Sequence, residues 1–575
     1  MNSRWEIRKL SQSQQALVKS LAQELHISEI SAGMLVRRGL TTAAAASSFV
    51  HPDLKQLHDP FLMKDMNEAV IRLQAAILSN ERILIYGDYD VDGTTAVALT
   101  YTFLCSVTDQ SHIDYYIPDR YTEGYGVSFK GIDYAVQTGC TLIVALDCGI
   151  RSTQEVEYAK QQGVDFIICD HHLPGTKIPD AVAVLDAKRE DCNYPFKELC
   201  GCGVGFKLAQ AYCLKNNISF NTLHPLLPLV AMAIASDIVP VVGENRILVY
   251  YGIRGLNTNP SIGIQKLLGV ASVEEGKLTV NDLVYKIGPR INACGRIRSG
   301  RDAVRLLITD NEDEALEMSE EINHQNEIRK GLDQQITNEA LQLLEADPEN
   351  LQKATTVVCG ENWHKGVVGI VASRLIDSYY RPTIVLTLTD GMISGSARSV
   401  GGFDIYSAID SCSDLLTNFG GHIFAAGLSM KPENLPEFKQ RFENYVSQHI
   451  LSEQRQPVIQ VEAEINFSDI TNQFFNILRH LEPFGPGNPR PIFVTRNICN
   501  YRYTRRVGKQ GEHLRLDVTD QTGVMQGIAF GKGEYATHLM NGENLDICYE
   551  LQQNTFNGQT TLQMLVQDLR LIHKT

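Results

Sequence analysis

The sequence predicts an α/β protein with a parallel sheet, a second and smaller α/β domain, and a β-barrel module at the C-terminal end. Three observations lead to this fold class. Short apolar runs alternate with segments that can hold helices, an acidic stretch with helical spacing follows, and the C-terminal part alternates between apolar and polar residues. The first pattern is typical of parallel sheets, and the last is typical of a small all-β module.

The parallel sheet is predicted from apolar runs that begin at residue 83. They are four or five residues long and rich in Ile, Val and Tyr: ILIY (83–86), IDYYI (113–117), LIVAL (142–146), FIIC (166–169) and AVAVL (181–185). Most of the intervening segments can hold a crossover helix, so consecutive strands would run parallel. In such sheets, chemistry takes place beyond the carboxyl ends of the strands.

The remaining segments complete the predicted domain organisation. Residues 206–310 have largely helical patterns, and near-helical spacing of Met318, Ile322, Leu332, Ile336 and Leu343 predicts a long connecting helix. Residues 355–430 return to α/β character. We therefore expect an N-terminal cap segment (1–60), a catalytic domain (61–310), a connecting helix (311–350), a second α/β domain (351–455) and a β-barrel domain (456–575).

Composition excludes several classes of protein. The chain has 575 residues, of which 43% are hydrophobic and 21% charged, which is ordinary for a globular protein. Its 52 basic and 67 acidic side chains give a net charge of −15, so any nucleic-acid surface must be a local basic tract. No apolar stretch is long enough for a membrane helix, and the N-terminal run MNSRWEIRKL has no apolar region of the kind a secretory signal needs. The 13 cysteines form no CxxC pair. We expect reduced thiols and a cytoplasmic location.

Acids and histidines follow the predicted strands. Asp88, Asp90 and Asp92 follow the first strand, Asp147 the third, Asp170, His171 and His172 the fourth, and Asp237 a later apolar helix. Carboxylates gathered at one sheet edge repel one another unless a positive group lies between them. Oxygen and imidazole ligands without thiolate favour Mg²⁺ or Mn²⁺, and the donors suffice for two ions that could clamp a phosphoryl group.

Two other kinds of site share features with the first acidic run. An EF-hand loop would need Glu at its twelfth position, and counting from Asp88 that position is Leu99. A strand followed by Asp90-Val-Asp-Gly-Thr also resembles the haloacid-dehalogenase phosphatases, in which the first Asp is a nucleophile. That interpretation does not explain the Asp-His-His run, and no GDxxND motif follows. The combination of acids and histidines after separate strands favours the metal site.

With these residues assembled, the sequence resembles the DHH phosphoesterase superfamily and, within it, the RecJ family of exonucleases. The resemblance covers nearly the whole chain from about residue 50 and is carried by eight motifs. They are Asp170-His171-His172, GDYDVDG (87–93), DCGI (147–150), SDIVP (236–240), PDRYTEGYG (118–126), IGPRINACGR (287–296), GGHIFAAG (420–427) and LEPFGPGNP (481–489). The GGHIFAAG run resembles the DHHA1 domain, and the last motif precedes the position of an OB-fold in the family.

The resemblance implies a metal-dependent 5′→3′ exonuclease that degrades single-stranded DNA to 5′-mononucleotides in DNA repair and recombination. It implies two divalent cations, Mn²⁺ or Mg²⁺, with the ligands Asp90, Asp92, Asp147, His171 and Asp237. Asp88 and His172 join these residues in the implied catalytic set. His172 would either support a ligand or contact the phosphate, and the sequence leaves both roles open.

Substrate residues are expected on both α/β domains. Ser396 and Arg398 in the run SGSARS suit a terminal phosphate, because guanidinium binds phosphate through two hydrogen bonds. Further expected contacts are Arg120, Arg290, Asn292 and His422, although any single arginine could instead form a surface salt bridge. Tyr125, between two glycines, would either stack on a base or serve in packing.

A basic and aromatic tract lies in the expected OB-fold. It holds Arg496, Arg502, Arg505, Arg506, Lys509 and Arg515 with Tyr501 and Tyr503, and it fits single-strand binding, with a solvated sheet edge as the alternative. Two competing functions remain at this point: a phosphoesterase for oligonucleotides or cyclic dinucleotides, and a scaffold that has lost its chemistry. The resemblance also implies single-strand-binding protein and a helicase as partners.

Overall fold

The computed structural model describes residues 3–556 and 559–572. The chain divides into two compact units. The larger unit contains Asp53–Ile450 and Gly485–Gly487, and the other contains Met1–Pro52, Leu451–Phe484 and Asn488–Thr575.

The N-terminal segment of the smaller unit is one strand followed by helices: β1 (Arg4–Ile7), α1 (Gln12–Leu25), α2 (Glu29–Arg37) and α3 (Ala43–Val50). Each helix starts after a hydroxyl side chain, Ser11, Ser28 or Thr42, that accepts a backbone hydrogen bond. Met34 and Leu35 of α2 belong to the hydrophobic core that the C-terminal part of this unit forms.

The larger unit begins with a parallel sheet, which confirms the predicted fold class. Its strands are β2 (Arg82–Gly87), β3 (Ile113–Tyr116), β4 (Cys140–Leu146), β5 (Asp165–Cys169) and β6 (Ala183–Leu185), in the order β3-β2-β4-β5-β6. The helices of this part are α4 (Met66–Leu78), α5 (Val91–Cys105), α6 (Phe129–Gln137) and α7 (Thr153–Gln161). Ile83 and Ile85 point into one core and Leu84 and Tyr86 into another, because both sheet faces are covered.

A largely helical region follows the sheet. Its helices are α8 (Gly201–Lys215), α9 (Leu227–Ser236), α10 (Gly243–Thr258), α11 (Ile262–Val270), α12 (Val280–Asp282), α13 (Gly288–Ile297) and α14 (Gly300–Ile308). The long connecting helix is α15 (Glu312–Glu345), which has 34 residues. Within the ranges that the structure describes, no helix combines the length and apolar character needed to cross a bilayer.

The second sheet of the larger unit is mixed. It contains β7 (Thr356–Glu361), β8 (Thr383–Thr389), β9 (Met392–Arg398), β10 (Leu416–His422) and β11 (Ala425–Met430), in the order β10-β11-β9-β8-β7. Only β7 and β8 pair in parallel within this sheet. The accompanying helices are α16 (Pro348–Gln352), α17 (Val368–Tyr379), α18 (Ile405–Asp410) and α19 (Leu435–His449).

The C-terminal part of the smaller unit is a β-barrel. Its elements are β12 (Val458–Val461), β13 (Ala463–Glu464), α20 (Asn472–His480), β14 (Ile492–Asn500), β15 (Arg505–Val507), β16 (His513–Thr519), β17 (Val524–Ala529), α21 (Tyr535–Met540), β18 (Leu545–Phe556) and β19 (Gln559–Leu571). The sheet order is β13-β14-β18-β19-β17-β16-β15, and a further pairing of β14 with β16 closes the ring. β1 pairs in parallel with β12.

Candidate active site

The first group of acids lies at the junction of β2 and α5. Asp90 caps α5, and its carboxylate accepts a hydrogen bond from the Gly93 N–H at 3.0 Å. A Cβ atom at Gly93 would lie 2.4 Å from the carbonyl oxygen of Asp88, so only glycine allows this close turn. The turn places Asp88 and Asp90 at the carboxyl end of the strand.

Asp92 and Asp147 are held by the beginning of α8. The Asp92 carboxylate accepts hydrogen bonds from the N–H groups of Gly201 (2.7 Å) and Cys202 (2.8 Å), where the helix dipole favours negative charge. Asp147 follows β4 with φ 59°, a left-handed conformation that Asp tolerates better than most residues. A Cβ atom at Gly201 would lie 2.5 Å from the Asp147 Cβ, so a glycine is required between these two acids.

Asp170 fixes the two histidines that follow β5. Its carboxylate accepts hydrogen bonds from the backbone N–H groups of Ile150 (2.9 Å) and His171 (2.7 Å) and lies 2.8 Å from His172 Nδ1. Burial alone would raise the pKa of Asp170, but the hydrogen bond and charge of His172 outweigh it and lower the pKa to about 2. Asp170 is therefore an ionised anchor that orients the His172 ring.

His171 stands at the centre of the acids. Its Nε2 lies 3.2 Å from Asp147 Oδ1, 3.5 Å from Asp237 Oδ2 and 3.7 Å from Asp92 Oδ2. Donor atoms of Asp88, Asp90 and Asp147 form a second close group, within 4.8 Å of one another. The structure thus brings the predicted ligands into one cluster, which we call the acidic cluster: Asp88, Asp90, Asp92, Asp147, His171, His172 and Asp237.

Burial and mutual repulsion make it unfavourable for all acids of the acidic cluster to be ionised at once. Burial, followed by repulsion from Asp90, raises the pKa of Asp88 well above its usual range, and burial and Asp92 do the same for Asp147. Burial and the neighbouring Asp92 raise the pKa of Asp237 to about 8. Burial lowers the pKa of His171 to about 4, although Asp92 favours its charged form. The imidazole is therefore neutral at pH 7 and free to act as a ligand.

Donor atoms of the cluster suit divalent cations. Both carboxylate oxygens of Asp88, Oδ1 of Asp147 and both ring nitrogens of His171 are buried without a hydrogen-bond partner. Buried polar atoms are rarely left so, and a cation would satisfy them. Burial raises the pKa of the neighbouring Cys148 and Cys200 thiols, so the donors are oxygen and imidazole nitrogen, which suit Mn²⁺ and Mg²⁺.

Tyr125 lies at the edge of the acidic cluster. Its hydroxyl donates to the Asp147 carbonyl oxygen at 3.2 Å and lies 3.1 Å from His172 Nε2. Gly124 and Gly126 have φ values of 85° and 89°, so the tyrosine sits on a turn that needs glycine on both sides. The side chain remains 54% exposed, which leaves a ring surface for a nucleobase.

A cavity of about 680 Å³ lies next to the cluster and is lined by several cationic side chains. Tyr89, between Asp88 and Asp90 in the chain, lines it, and the Arg120 guanidinium lies 5.0 Å from the Tyr89 ring centre. The cationic side chains of the lining are Arg120, Arg296, Lys365 and Arg398. We call this cavity the cationic cavity. Burial, followed by repulsion from Arg120, lowers the pKa of Arg296 to about 10, so the cavity disfavours its own positive charge.

Not every expected substrate residue reaches the cationic cavity. Arg120, Ser396 and Arg398 line it, and Arg398 Nη1 donates to the Ser396 hydroxyl at 2.6 Å. Arg290 instead donates to Asn323 Oδ1 (3.0 Å) and to the Lys286 carbonyl (2.7 Å), which are contacts within its own helical region.

Asn292 and His422 are also outside the lining of the cavity. Asn292 is a partly buried residue of α13. His422 ends β10, where its Nδ1 accepts a hydrogen bond from the Phe424 N–H at 3.3 Å. Their assignment to substrate remains a prediction. Sequence reasoning missed Arg296 and Lys365 as cavity residues, although Arg296 stands in the IGPRINACGR run.

The barrel carries the basic and aromatic tract on its surface. Tyr503 is 72% exposed, and the Arg502 guanidinium lies 4.8 Å from the Tyr501 ring centre. Arg505 and Arg515 are exposed and directly opposite each other on β15 and β16. Arg496 differs, because it forms ion pairs with Glu464 (3.1 Å) and Asp546 (2.8 Å).

Comparisons with known proteins identify the family. Family models match three parts of the chain: the DHH family N-terminal domain at residues 82–234, the DHHA1 domain at 351–448 and the RecJ OB domain at 461–568. The single-stranded-DNA-specific exonuclease RecJ of Escherichia coli K12 is 34% identical over 533 residues, which cover 88% of this chain and 90% of that protein. The chain belongs to the RecJ family. The RecJ of Bacillus subtilis is 35% identical over 567 residues, covering 98% of this chain and 70% of that protein.

Solved RecJ structures have the same fold. The crystal structure of RecJ from Thermus thermophilus in complex with Mn²⁺ matches with a TM-score of 0.83 at 27% identity, covering 99% of this chain and 79% of that one. The Mg²⁺ complex of RecJ from the same organism matches with a TM-score of 0.77 at 26% identity, over 99% of this chain and 78% of that one. The resemblance drawn from the motifs and the predicted fold class are thus confirmed. The individual site residues and the domain boundaries stay predictions.

Proposed function

We propose that this chain is a metal-dependent exonuclease that degrades single-stranded DNA from its 5′ end to 5′-mononucleotides. One observation carries the proposal: a buried acidic cluster with unpartnered donor atoms lies next to a cavity lined by four cationic side chains. The relatives are named single-stranded-DNA-specific exonucleases, and the solved RecJ structures contain Mn²⁺ or Mg²⁺, which agrees with this chemistry.

The acidic cluster is the proposed site of two divalent cations, Mn²⁺ or Mg²⁺. Its ligands would be Asp90, Asp92, Asp147, His171 and Asp237, with Asp88 completing the donor set. When bound, such cations supply an activated water at neutral pH and neutralise charge on the scissile phosphate. The chain fixes the donors beforehand, through the α8 N–H groups on Asp92 and the glycine turn beside Asp88.

His172 is proposed to hold a proton near the scissile phosphate. Burial opposes its charge, but the hydrogen bond and charge of Asp170 outweigh burial and raise the pKa of His172. His172 Nδ1 lies 2.8 Å from the Asp170 carboxylate, and the Tyr125 hydroxyl lies 3.1 Å from Nε2 and 3.3 Å from Nδ1 of the same ring. A positively charged imidazole in this position attracts a phosphate, which favours contact with the phosphate over the role of supporting a metal ligand.

The cationic cavity is proposed to bind the 5′ phosphate. A terminal phosphate carries more negative charge than an internal one, so a cluster of Arg120, Arg296 and Arg398 selects the chain end. Because Tyr89 lines the cavity and is flanked by two acids of the cluster, a short distance separates end recognition from cleavage. Such a short separation favours release of one nucleotide at a time.

Selectivity for single strands is proposed to come from stacking and from the basic tract of the barrel. Tyr125 offers an exposed ring beside the acidic cluster, and Tyr501 and Tyr503 offer rings among arginines on the barrel. Bases of a single strand are free to stack on such rings, whereas bases in a duplex are already stacked and paired.

A nuclease assay on the full chain tests the proposal. The substrates are a 5′-phosphorylated single strand labelled at either end, and the corresponding duplex, each with Mn²⁺, Mg²⁺ or a chelator. We expect immediate release of labelled mononucleotide only from the 5′-labelled single strand, with no release in chelator. Release from the 3′ label first would contradict the polarity, and cleavage in chelator would contradict the metal chemistry.

The same assay separates the two competing functions. A chain that cleaves dinucleotides but leaves long single strands intact is a small-molecule phosphoesterase. A chain that binds single strands without cleaving them under any metal condition is a scaffold. Either result would replace the exonuclease proposal.

The cellular setting is proposed to be DNA repair and recombination in the cytoplasm, with single-strand-binding protein and a helicase as partners. The buried, unbridged thiols of the structure, such as Cys169 and Cys213, agree with a reducing compartment. An exonuclease that requires single strands also depends on a process that separates the duplex, which supports a helicase partner. Co-purification of both partners with the full chain from its native cells is the measurement that checks this setting.

A further inference from the structure

The loop that carries Asp237 has a strained backbone. Ile238 has φ 62°, a left-handed conformation that is unfavourable for a β-branched residue. Its side chain is 67% exposed, so burial of that side chain does not stabilise the conformation. Such a conformation persists only where the surrounding structure fixes it. The groups that fix residues 237–242 therefore also decide where the Asp237 carboxylate lies.

A hydrogen bond fixes this loop from a distant part of the sequence. The Val241 N–H donates to the Pro486 carbonyl oxygen at 2.6 Å, and Pro486 belongs to the run LEPFGPGNP. Gly485–Gly487 belongs to the larger unit, which also contains the loop, whereas the residues before and after this segment belong to the smaller unit. We call Gly485–Gly487 the GPG segment.

Close packing adds to this hydrogen bond. A Cβ atom at Gly485 would lie 2.4 Å from Val241 Cγ2, and Val241 is fully buried. Gly487 has φ 74°, and a Cβ atom there would lie 3.1 Å from Val242 Cγ1 and 3.3 Å from Pro240 Cβ. A valine side chain has little rotamer freedom with which to yield. The GPG segment thus contacts the loop where only glycine fits.

The other side of the loop is tied to the residues that hold Asp92. Asn245, which is fully buried, donates through Nδ2 to the Pro240 carbonyl oxygen at 3.0 Å and also to the Glu198 carbonyl oxygen. Residue 198 lies just before the start of α8, whose N–H groups bind the Asp92 carboxylate. The loop is therefore held between the GPG segment and the helix that positions a second acid.

We propose that the GPG segment is a positioning element for Asp237. It holds residues 237–242 in the strained conformation that keeps the Asp237 carboxylate 3.5 Å from His171 Nε2. Removal of this support lets Ile238 relax toward negative φ and turns the carboxylate away from the cluster. The inference rests on the proposed function in one respect, namely that Asp237 is a metal ligand.

Gly485→Ala in the full chain is the variant that tests the role of the segment. Gly485 is not left-handed, so alanine adds a methyl group against Val241 without straining its own backbone. Mn²⁺ binding is measured by the electron paramagnetic resonance of free Mn²⁺, beside thermal unfolding in chelator. We expect about tenfold weaker Mn²⁺ binding, the size found for groups that orient metal ligands. The unfolding temperature in chelator should also fall, because the added methyl group must displace buried Val241. Gly331→Ala is the matched control, because a Cβ atom there meets nothing within 4 Å.

A second substitution distinguishes positioning from general damage. Ile238→Gly removes the strain, so the loop no longer needs support to hold φ near 62°. We expect Ile238→Gly to restore Mn²⁺ binding in the Gly485→Ala background to within about threefold of the unchanged chain. Wild-type binding in Gly485→Ala would overturn the proposal. A loss that Ile238→Gly does not restore would also overturn it, because the segment would then serve only in packing.

Asp237→Ala separates this inference from the ligand assignment beneath it. If Asp237→Ala leaves Mn²⁺ binding unchanged, Asp237 is not a ligand, and both the ligand assignment and the positioning role fail. If Asp237→Ala weakens binding while Gly485→Ala does not, the ligand assignment stands and the positioning role alone is wrong.

Discussion

At the scale of single residues, Asp147 belongs to two of the three close groups of donors in the acidic cluster. It lies 3.2 Å from His171 Nε2 and shares the second group with Asp88 and Asp90. Asp147→Asn keeps the shape but removes the negative charge, so we expect turnover to fall by more than about a hundredfold, beyond the loss seen when only a supporting group is changed. Nuclease assays across a Mn²⁺ titration check this. Asp313→Asn, an exposed acid on α15, is the control, and near-normal turnover in Asp147→Asn would reject the scheme.

Arg398 allows a test of how the chain end is recognised. Its guanidinium is already oriented by the Ser396 hydroxyl and the Ala397 carbonyl oxygen, and the described residues that line the cavity include no acid. A charge-assisted hydrogen bond is worth about 1.5–3 kcal/mol, so Arg398→Ala should lose roughly tenfold to a hundredfold of the preference for 5′-phosphate over 5′-hydroxyl ends. Competition between the two substrates measures the preference. Arg305→Ala, which removes an exposed arginine, should leave it unchanged.

The raised pKa of Asp237 predicts how stability depends on pH in the metal-free chain. Burial raises this pKa to about 8, above the ordinary value of about 3.9, so the folded chain binds the proton more tightly than the unfolded chain. The resulting stability is complete below about pH 4 and is lost as the pH rises through about 8. We expect the unfolding temperature in chelator to fall between about pH 4 and pH 8, and less so in Asp237→Asn.

Added Mn²⁺ should remove this pH dependence. A cation binds the ionised cluster and takes the place of the protons, so stability should then hold or rise over the same pH range. Calorimetry of the unchanged chain with chelator and with Mn²⁺ makes the comparison. If the stability of the metal-free chain rises with pH, the ionised acids of the cluster do not destabilise the folded chain by repelling one another.

At the scale of elements, the start of α8 contacts two acids that follow different strands, Asp92 at the start of α5 and Asp147 after β4. Gly201 donates its N–H to Asp92 and approaches Asp147 so closely that a Cβ atom would lie 2.7 Å from the Asp147 Cα. Gly201→Ala must displace this backbone, so we expect a loss of about 1–3 kcal/mol in the free energy of unfolding. Mn²⁺ binding should weaken at the same time. Gly269→Ala on α11, where a Cβ atom meets nothing within 4 Å, should change neither quantity.

The elements also show what the sequence can predict. The apolar runs of β2 and β4 are continuous because both faces of the sheet are buried, and this pattern is visible without coordinates. The carboxyl ends of parallel strands share one edge, so the meeting of Asp88 and Asp147 could also be predicted. These two local rules account for the sheet and for the acids that follow its strands, whereas Asp237 follows the helix α9.

Other parts of the site depend on tertiary contacts that leave no local pattern. Arg290 and Arg296 lie in one short run, yet only Arg296 lines the cationic cavity, because they point in different directions from α13. Lys365 comes from a loop of the second sheet region and has no motif of its own. Arg496 stands in the basic tract, but Glu464 and Asp546 neutralise it from other strands. Spacing in the sequence does not determine these partners.

At the scale of the whole molecule, the chain is acidic overall but carries local basic surfaces. The net charge of −15 repels a nucleic acid at long range, so local cationic groups must bring the strand to the chain. Arg505 and Arg515 lie directly opposite each other on β15 and β16. Two like charges in this position destabilise a sheet. A polyanion along this edge would relieve the repulsion. The paired arginines are therefore the part of the barrel expected to contact backbone phosphates.

Salt dependence of binding tests that expectation. Each phosphate contact on a single strand contributes about 0.7 to the slope of log affinity against log salt concentration, so Arg505→Ala with Arg515→Ala should reduce the slope by about 1.4. Fluorescence anisotropy of a labelled single strand, in chelator to prevent cleavage, gives the slope. Arg496→Ala is the matched control on the same barrel, because ion pairs already neutralise its charge, and its slope should stay close to that of the unchanged chain. If the double variant keeps the full slope while Arg496→Ala reduces it, the binding face lies on a different part of the barrel.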